Sequence, residues 1–158
     1  MSAKILLLVD VQNVYYTTRQ EFGCNFDYNK FWQRLSSKGQ IEKAIAYAID
    51  RGDSKQNQFQ NILRAIGFEV KLKPFIQRSD GSAKGDWDVG ISIDAIEHTE
   101  AVDKVVLVSG DGDFDLLVDY LRLKKGKIVE VYGVESLTAN SLIKAADVFS
   151  PIDETLLL

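Results

Sequence analysis

The chain has 158 residues, 46% hydrophobic, 27% charged and 10% aromatic, with 19 Lys and Arg against 23 Asp and Glu for a formal charge of −4. That balance describes one soluble domain long enough to bury a core of its own, and it excludes a disordered chain, collagen and a coiled coil. Cys24 is the only cysteine, and the apolar run from Ile5 to Val9 is too short for a signal peptide or a membrane span, so a reducing, cytoplasmic location with no membrane role is expected.

In chain order, Lys4 to Asp10 (KILLLVD) reads as a central parallel strand buried on both faces, with its aspartate at the carboxyl edge. Between Asp10 and Asp27 the pattern names no element. Asp27 caps a short helix over Tyr28 to Leu35 that turns Phe31 and Leu35 inward. Gln40 to Ile49 is apolar-rich and reads as a second strand, with helix as the competing reading. Asp53 and Ser54 offer caps for Lys55 to Ile66, where Phe59, Ile62, Leu63 and Ile66 recur at helical spacing before Gly67. Phe68 to Pro74 alternates as a third strand, Gln77 to Gly85 is loop by composition, and Asp88 to Glu97 suits a buried helix.

Lys104 to Ser109 is a second apolar strand, followed by a turn at Gly110, Asp111 and Gly112 and a helix from Asp113 to Lys125. Lys127 to Gly133 is the next strand, Ser136 caps a helix through Ala146, and Phe149 to Ile152 adds a short last strand. Strands and helices alternate throughout, which predicts a three-layer α/β/α sandwich around a mainly parallel sheet. No repeat or linker divides residues 1–158, so one domain is expected.

The carboxylates are unusual in kind: 15 are Asp and 8 are Glu, and seven of the Asp fall between Asp86 and Asp115. Glu has the better helix propensity, whereas short Asp suits caps, turns and hard-metal sites, so the excess points to a site. Asp10 ends one central strand, and Asp111 and Asp113 follow another. Ligands of a doubly wound sheet bind at these carboxyl ends. Three carboxylates at one edge repel unless protonated or neutralised by cations, and an all-oxygen donor set suits Mg²⁺ or Mn²⁺.

Asp88 is the fourth candidate. Asp94 lies roughly 120° from Asp88 around a helix axis, so the two do not point at one metal. Asp94 therefore ranks behind Asp88 as an alternate, and Asp86 and Asp115 compete for the places of Asp88 and Asp113. Capping and dipole complementation are the competing readings for each acid alone; they account poorly for Asp111, Asp113 and Asp115 together. His98, the only histidine, has no cooperating Ser or Cys motif for a triad, and neither GxGxxG nor GxxxxGK[ST] occurs. Lys71, Lys73, Arg78 and Lys84 gather with Phe75 just before the acidic motif, as a phosphodiester chain beside a metal would require; a solvated loop is the alternative.

The motifs VDVQN, KGDWDVGISIDAI, VLVSGDGDF and SLIKAADVF, in that order and covering Lys4 to about Ile152, resemble the NYN domain, in particular its LabA-like branch, within the PIN-like nuclease superfamily. The resemblance implies a Rossmann-like PIN fold that hydrolyses RNA phosphodiester bonds. Catalytic and metal ligands would be Asp10, Asp88, Asp111 and Asp113, with Mg²⁺ or Mn²⁺ as cofactor. Substrate contacts would come from Asn13, Lys84 and Ser109, with Arg78 from the basic stretch. Single-stranded RNA is the expected partner. The alternative is a catalytically silent RNA- or protein-binding regulatory module. The apolar tail Leu156 to Leu158 suggests docking on the chain itself or in a homodimer.

Overall fold

Strand β1 (Ala3–Asp10) has no solvent face: Ile5, Leu7 and Val9 pack into one apolar cluster, while Leu6 and Leu8 pack into another. Alternate side chains of a strand point to opposite faces, so a strand of this composition requires a layer of cover on each side. The computed structural model describes residues 3–74, 76–77, 83–84 and 86–158, with the backbone alone at 76–77 and 83–84. It supplies that cover with helices.

The sheet contains β2 (Gly39–Asp50), β3 (Glu69–Pro74), β6 (Lys104–Val108), β7 (Ile128–Gly133) and β8 (Val148–Pro151) beside β1. Their order is β3-β2-β1-β6-β7-β8, and every neighbouring pair is parallel. Helices α1 (Val11–Phe22), α2 (Tyr28–Lys38) and α3 (Ser54–Ile66) cover one face through Val14, Phe31, Leu35 and Leu63. Helices α4 (Asp88–His98), α5 (Asp115–Leu123) and α6 (Asn140–Ala145) cover the other through Ile91, Ala95, Val118, Leu121 and Leu142. Each such side chain taken fully out of water contributes about 1.5–3 kcal/mol. The expected three-layer α/β/α sandwich is therefore the observed one, and its sheet is parallel throughout.

The chain runs from β1 to β2 and β3 on one side, then crosses back to β6 on the other. That reversal opens a crevice at the carboxyl ends of β1 and β6, where parallel α/β sheets hold ligands. Val9 pairs with Val108, so Asp10 stands level with the start of the turn after β6.

Several expectations need correction. The segment after Asp10 is helix α1, ended by Gly23 in the left-handed conformation (φ 66°). Helix α4 is buried on one side only: Ile91, Asp94 and Ala95 face the sheet, whereas Val89 is 69% exposed and Ile93 58%. The supposed loop from Gln77 to Gly85 includes a short antiparallel ladder, β4 (Ile76–Gln77) against β5 (Ala83–Lys84); residues 78–82, with Arg78, lie outside the described residues. Ser136 caps no α-helix. It sits in a 3-10 turn, Glu135–Leu137, and α6 starts later, after Ala139. The tail docks on its own chain, with Leu156 and Leu157 buried, Leu158 exposed, and the Leu158 amide donating to the Asn25 carbonyl at 2.9 Å. Among the described residues no helix is long and apolar enough to cross a membrane.

Candidate metal centre

Asp10 is the last residue of β1 and the residue before α1, so its side chain belongs to the crevice. Its carboxylate makes no capping bond to α1. Instead it accepts a 3.0 Å hydrogen bond from the Ser109 hydroxyl, which itself accepts from the Asp111 amide at 3.2 Å. Ser109 thus ties the end of β1 to the turn after β6. Asn13 adds a second tie, its Oδ1 accepting from the Gly110 amide at 2.9 Å. A side chain on Gly110 would come within 2.9 Å of the Leu137 carbonyl oxygen, so the turn is held tightly against the segment before α6.

Beyond that turn, Asp111 opens a 3-10 turn, Gly112–Phe114, and its Oδ1 accepts from the Asp113 amide at 2.9 Å. Capping therefore explains one oxygen of Asp111 and leaves the rest of the cluster unexplained. Asp88, in the first turn of α4, approaches from the neighbouring helix. One oxygen from each of Asp88, Asp111 and Asp113 lies within 4.8 Å of the others. Of the competing acids, the fold brings Asp88 and Asp113 into this group and leaves Asp86 and Asp115 outside it.

The electrostatics agree with crowding. Burial, chiefly, pushes the Asp10 carboxyl up to about 6, opposed by the hydrogen bond from Ser109 and the nearby Asn13 amide dipole and reinforced by the charges of Asp111 and Asp86. Asp88 is pushed up to about 7, first by burial, then by hydrogen bonding with Asp111 and by the charges of Asp111, Asp86 and Asp10. The neighbouring charges that act on both are acidic. A divalent cation would offset them, and the all-carboxylate donor set has the hardness that suits Mg²⁺ or Mn²⁺.

The remaining expected residues fall elsewhere. Asp86 is exposed at the rim, with its Oδ1 facing the Asp88 amide at 3.4 Å. Asp94 is buried away from the edge and accepts from the Tyr47 hydroxyl at 2.8 Å and the Lys71 ammonium at 2.7 Å. It also lies near Glu97 and His98, a second group of ligand type, but its charge is already met by Lys71. Lys71 and Lys73 therefore do not form the phosphate-facing patch that the sequence suggested: Lys73 lies 4.5 Å over the Trp87 ring and donates to the Asp86 carbonyl at 3.0 Å. Ser109 is fully buried with its hydroxyl engaged, so it shapes the acidic site from behind.

Trp87, which the sequence reading passed over, anchors the start of α4. Its indole donates to the Ala48 carbonyl at 2.9 Å and packs on Tyr47, with ring centroids 5.3 Å apart. A large apolar side chain set between two acids was the available signal.

The chain matches the NYN domain over residues 4–153. It is 28% identical over 160 residues to the low amplitude and bright protein LabA of Synechococcus elongatus, covering 96% of this chain and 85% of that protein. The crystal structure of a protein of unknown function from Vibrio parahaemolyticus superposes with a TM-score of 0.94 at 57% identity, covering 99% of this chain and 97% of that one. The parallel sheet, the acidic crevice and this agreement along almost the whole sequence establish that the chain belongs to the NYN domain family of PIN-like domains.

Proposed function

We propose that this protein is a divalent-metal-dependent ribonuclease that hydrolyses single-stranded RNA at Asp10, Asp88, Asp111 and Asp113. The observation that carries this reading is the convergence of three carboxylates within 4.8 Å beside a fourth, Asp10, which burial and its acidic neighbours hold near pH 6. A fold under no functional constraint would remove such repulsion, since one Asp-to-Asn change relieves it.

Asp88, Asp111 and Asp113 would hold the cation, with Asp10 completing the anionic wall. When bound, a divalent cation supplies Lewis acidity toward a phosphoryl oxygen and lowers the pKa of water. The chain's own residues do the positioning. Ser109 fixes Asp10 and the Asp111 backbone relative to each other, and Asn13 keeps α1 against the turn, so the acids from three elements hold one arrangement before substrate arrives. Asp10, which stands beside the three grouped carboxylates and is not one of them, is suited to accept a proton as water attacks phosphorus. Lys84, on β5, remains the candidate contact to the strand.

The test is incubation of end-labelled single-stranded RNA with the protein and Mg²⁺ or Mn²⁺, beside EDTA and Asp111→Asn controls. Cleavage lost in both controls is the expected result. Intact RNA with metal bound would assign the acidic crevice to a silent binding module instead.

A further inference from the structure

The acidic crevice has a neighbour of opposite character. A cleft of about 710 Å³ opens beside it between α1, the end of β2 and the start of α3. Its volume is that of a small-molecule site. Gln12, Tyr15 and Tyr16 line it from one face of α1, Tyr28 and Phe59 from behind, and Lys55 from the rim.

Three observations connect this cleft to the metal centre and specify its occupant. First, its wall begins at Val11, the residue after Asp10, about 3.8 Å further along the chain. Second, Tyr15 and Tyr16 are 51% and 52% exposed although they are large aromatics, and they stand edge to face with centroids 5.5 Å apart. Both residues line the cleft. Third, the polar groups are of the kind that reads a heterocycle edge: the Gln12 and Asn25 amides, with Lys55 and Arg51 supplying positive charge and Asp53 opposing them. Flat aromatic surface, amide donors and acceptors, and cations next to a phosphodiester-cleaving edge suit an unpaired base.

We infer that this cleft is a base-binding subsite that receives the unstacked nucleobase next to the scissile phosphate of single-stranded RNA, with Tyr15 and Tyr16 as its stacking surface; this rests on the hydrolytic reading of the acidic crevice. A duplex is excluded from it, because a paired base cannot leave its stack without losing its partner. The subsite thereby supplies the preference for single strands that the carboxylates cannot.

The test uses adenosine 5′-monophosphate, which carries a base but no phosphodiester and is therefore bound without turnover. Titrated into the isotope-labelled protein, it is expected to shift amide resonances of residues 12–16, 25 and 51–59. The Tyr15→Ala/Tyr16→Ala pair is expected to weaken that binding about tenfold or more, and the Tyr15→Phe/Tyr16→Phe pair to keep it, since base stacking depends on the ring and not the hydroxyl. Both tyrosines are half exposed, so the thermal midpoint is expected to be unchanged. Shifts centred elsewhere, or undiminished in the alanine pair, overturn the inference. Cleavage of single-stranded RNA by the alanine pair with unaltered KM would overturn the subsite and leave the hydrolytic reading intact. A nucleotide seated on the tyrosines with no RNA cleaved would do the reverse.

Discussion

Helix α4 carries two aspartates, six residues apart, in opposite electrostatic settings. Asp94, in the middle, is met by a lysine and a tyrosine, and although burial works against it, those partners hold its carboxyl below the usual range. Asp88, at the start, is pushed up to about 7, first by burial and then by its acidic neighbours Asp111, Asp86 and Asp10. One carboxylate stabilises the fold and the other destabilises it. The difference separates structure from function on a single helix: a protein keeps an unfavourable charge where a ligand uses it.

The largest expected effect is on chemistry. On the proposed function, Asp88→Asn and Asp111→Asn each remove a proposed ligand and should lower RNA cleavage at least about a thousandfold, while thermal midpoints hold or rise. A steep fall in midpoint for either would make the acidic edge structural and erase the contrast. Next, Asp94→Ala strands the Lys71 ammonium and the buried Tyr47 hydroxyl, and should cost about 3 kcal/mol in urea unfolding. Its pKa is lowered, so that stability is present above the ordinary carboxylate range and lost as pH falls below it.

Asp10 has the opposite sign. Its folded pKa of about 6 lies above the ordinary aspartate value of 3.8, so the penalty is absent below about pH 4, grows as pH rises, and is complete above pH 6 to 7. Asp10→Asn should therefore stabilise the metal-free protein by about 2 kcal/mol at pH 8 and by almost nothing at pH 4, as parallel denaturant titrations would reveal. The smallest effect is that of the cation. Mg²⁺ at ten times its Kd should add roughly 1.4 kcal/mol, or about 3–5 °C in midpoint, to the wild type and none to Asp111→Asn. Equal shifts in both proteins would move the cation elsewhere.

The sequence made the sheet and the acidic edge legible for related reasons. β1 and β6 are unbroken apolar runs, which only a doubly covered sheet accommodates, and their ends carried the aspartates to one place. Asp53 caps α3 as read, its Oδ1 accepting from the Gln56 amide at 2.7 Å. Helix α1 stayed hidden because its usual start signal was diverted: Asp10 points to Ser109 instead of capping. Thr18 also looks polar, yet it is buried with its hydroxyl donating to the Val14 carbonyl at 2.8 Å. Helix α4 is apolar on nearly all sides, so the sequence could not say that Val89 and Ile93 face outward. Nor does composition reveal partners, and so Lys71 and Lys73 looked available for phosphate when the fold had committed them to Asp94 and the Trp87 loop. The cleft beside α1 shared the invisibility of α1 itself.

The hydroxyl bridge between Asp10 and Asp111 joins residues about a hundred positions apart in the chain, at the ends of the neighbouring strands β1 and β6. Contacts of such long separation close late, because the entropy of closing the loop must first be offset by other structure. The repulsion among the acids accordingly arises on the native side of the folding barrier, where it speeds unfolding and leaves the folding rate nearly untouched. A cation held by these acids would then act as a brake on unfolding, lengthening the lifetime of the assembled crevice in proportion to the charge it neutralises.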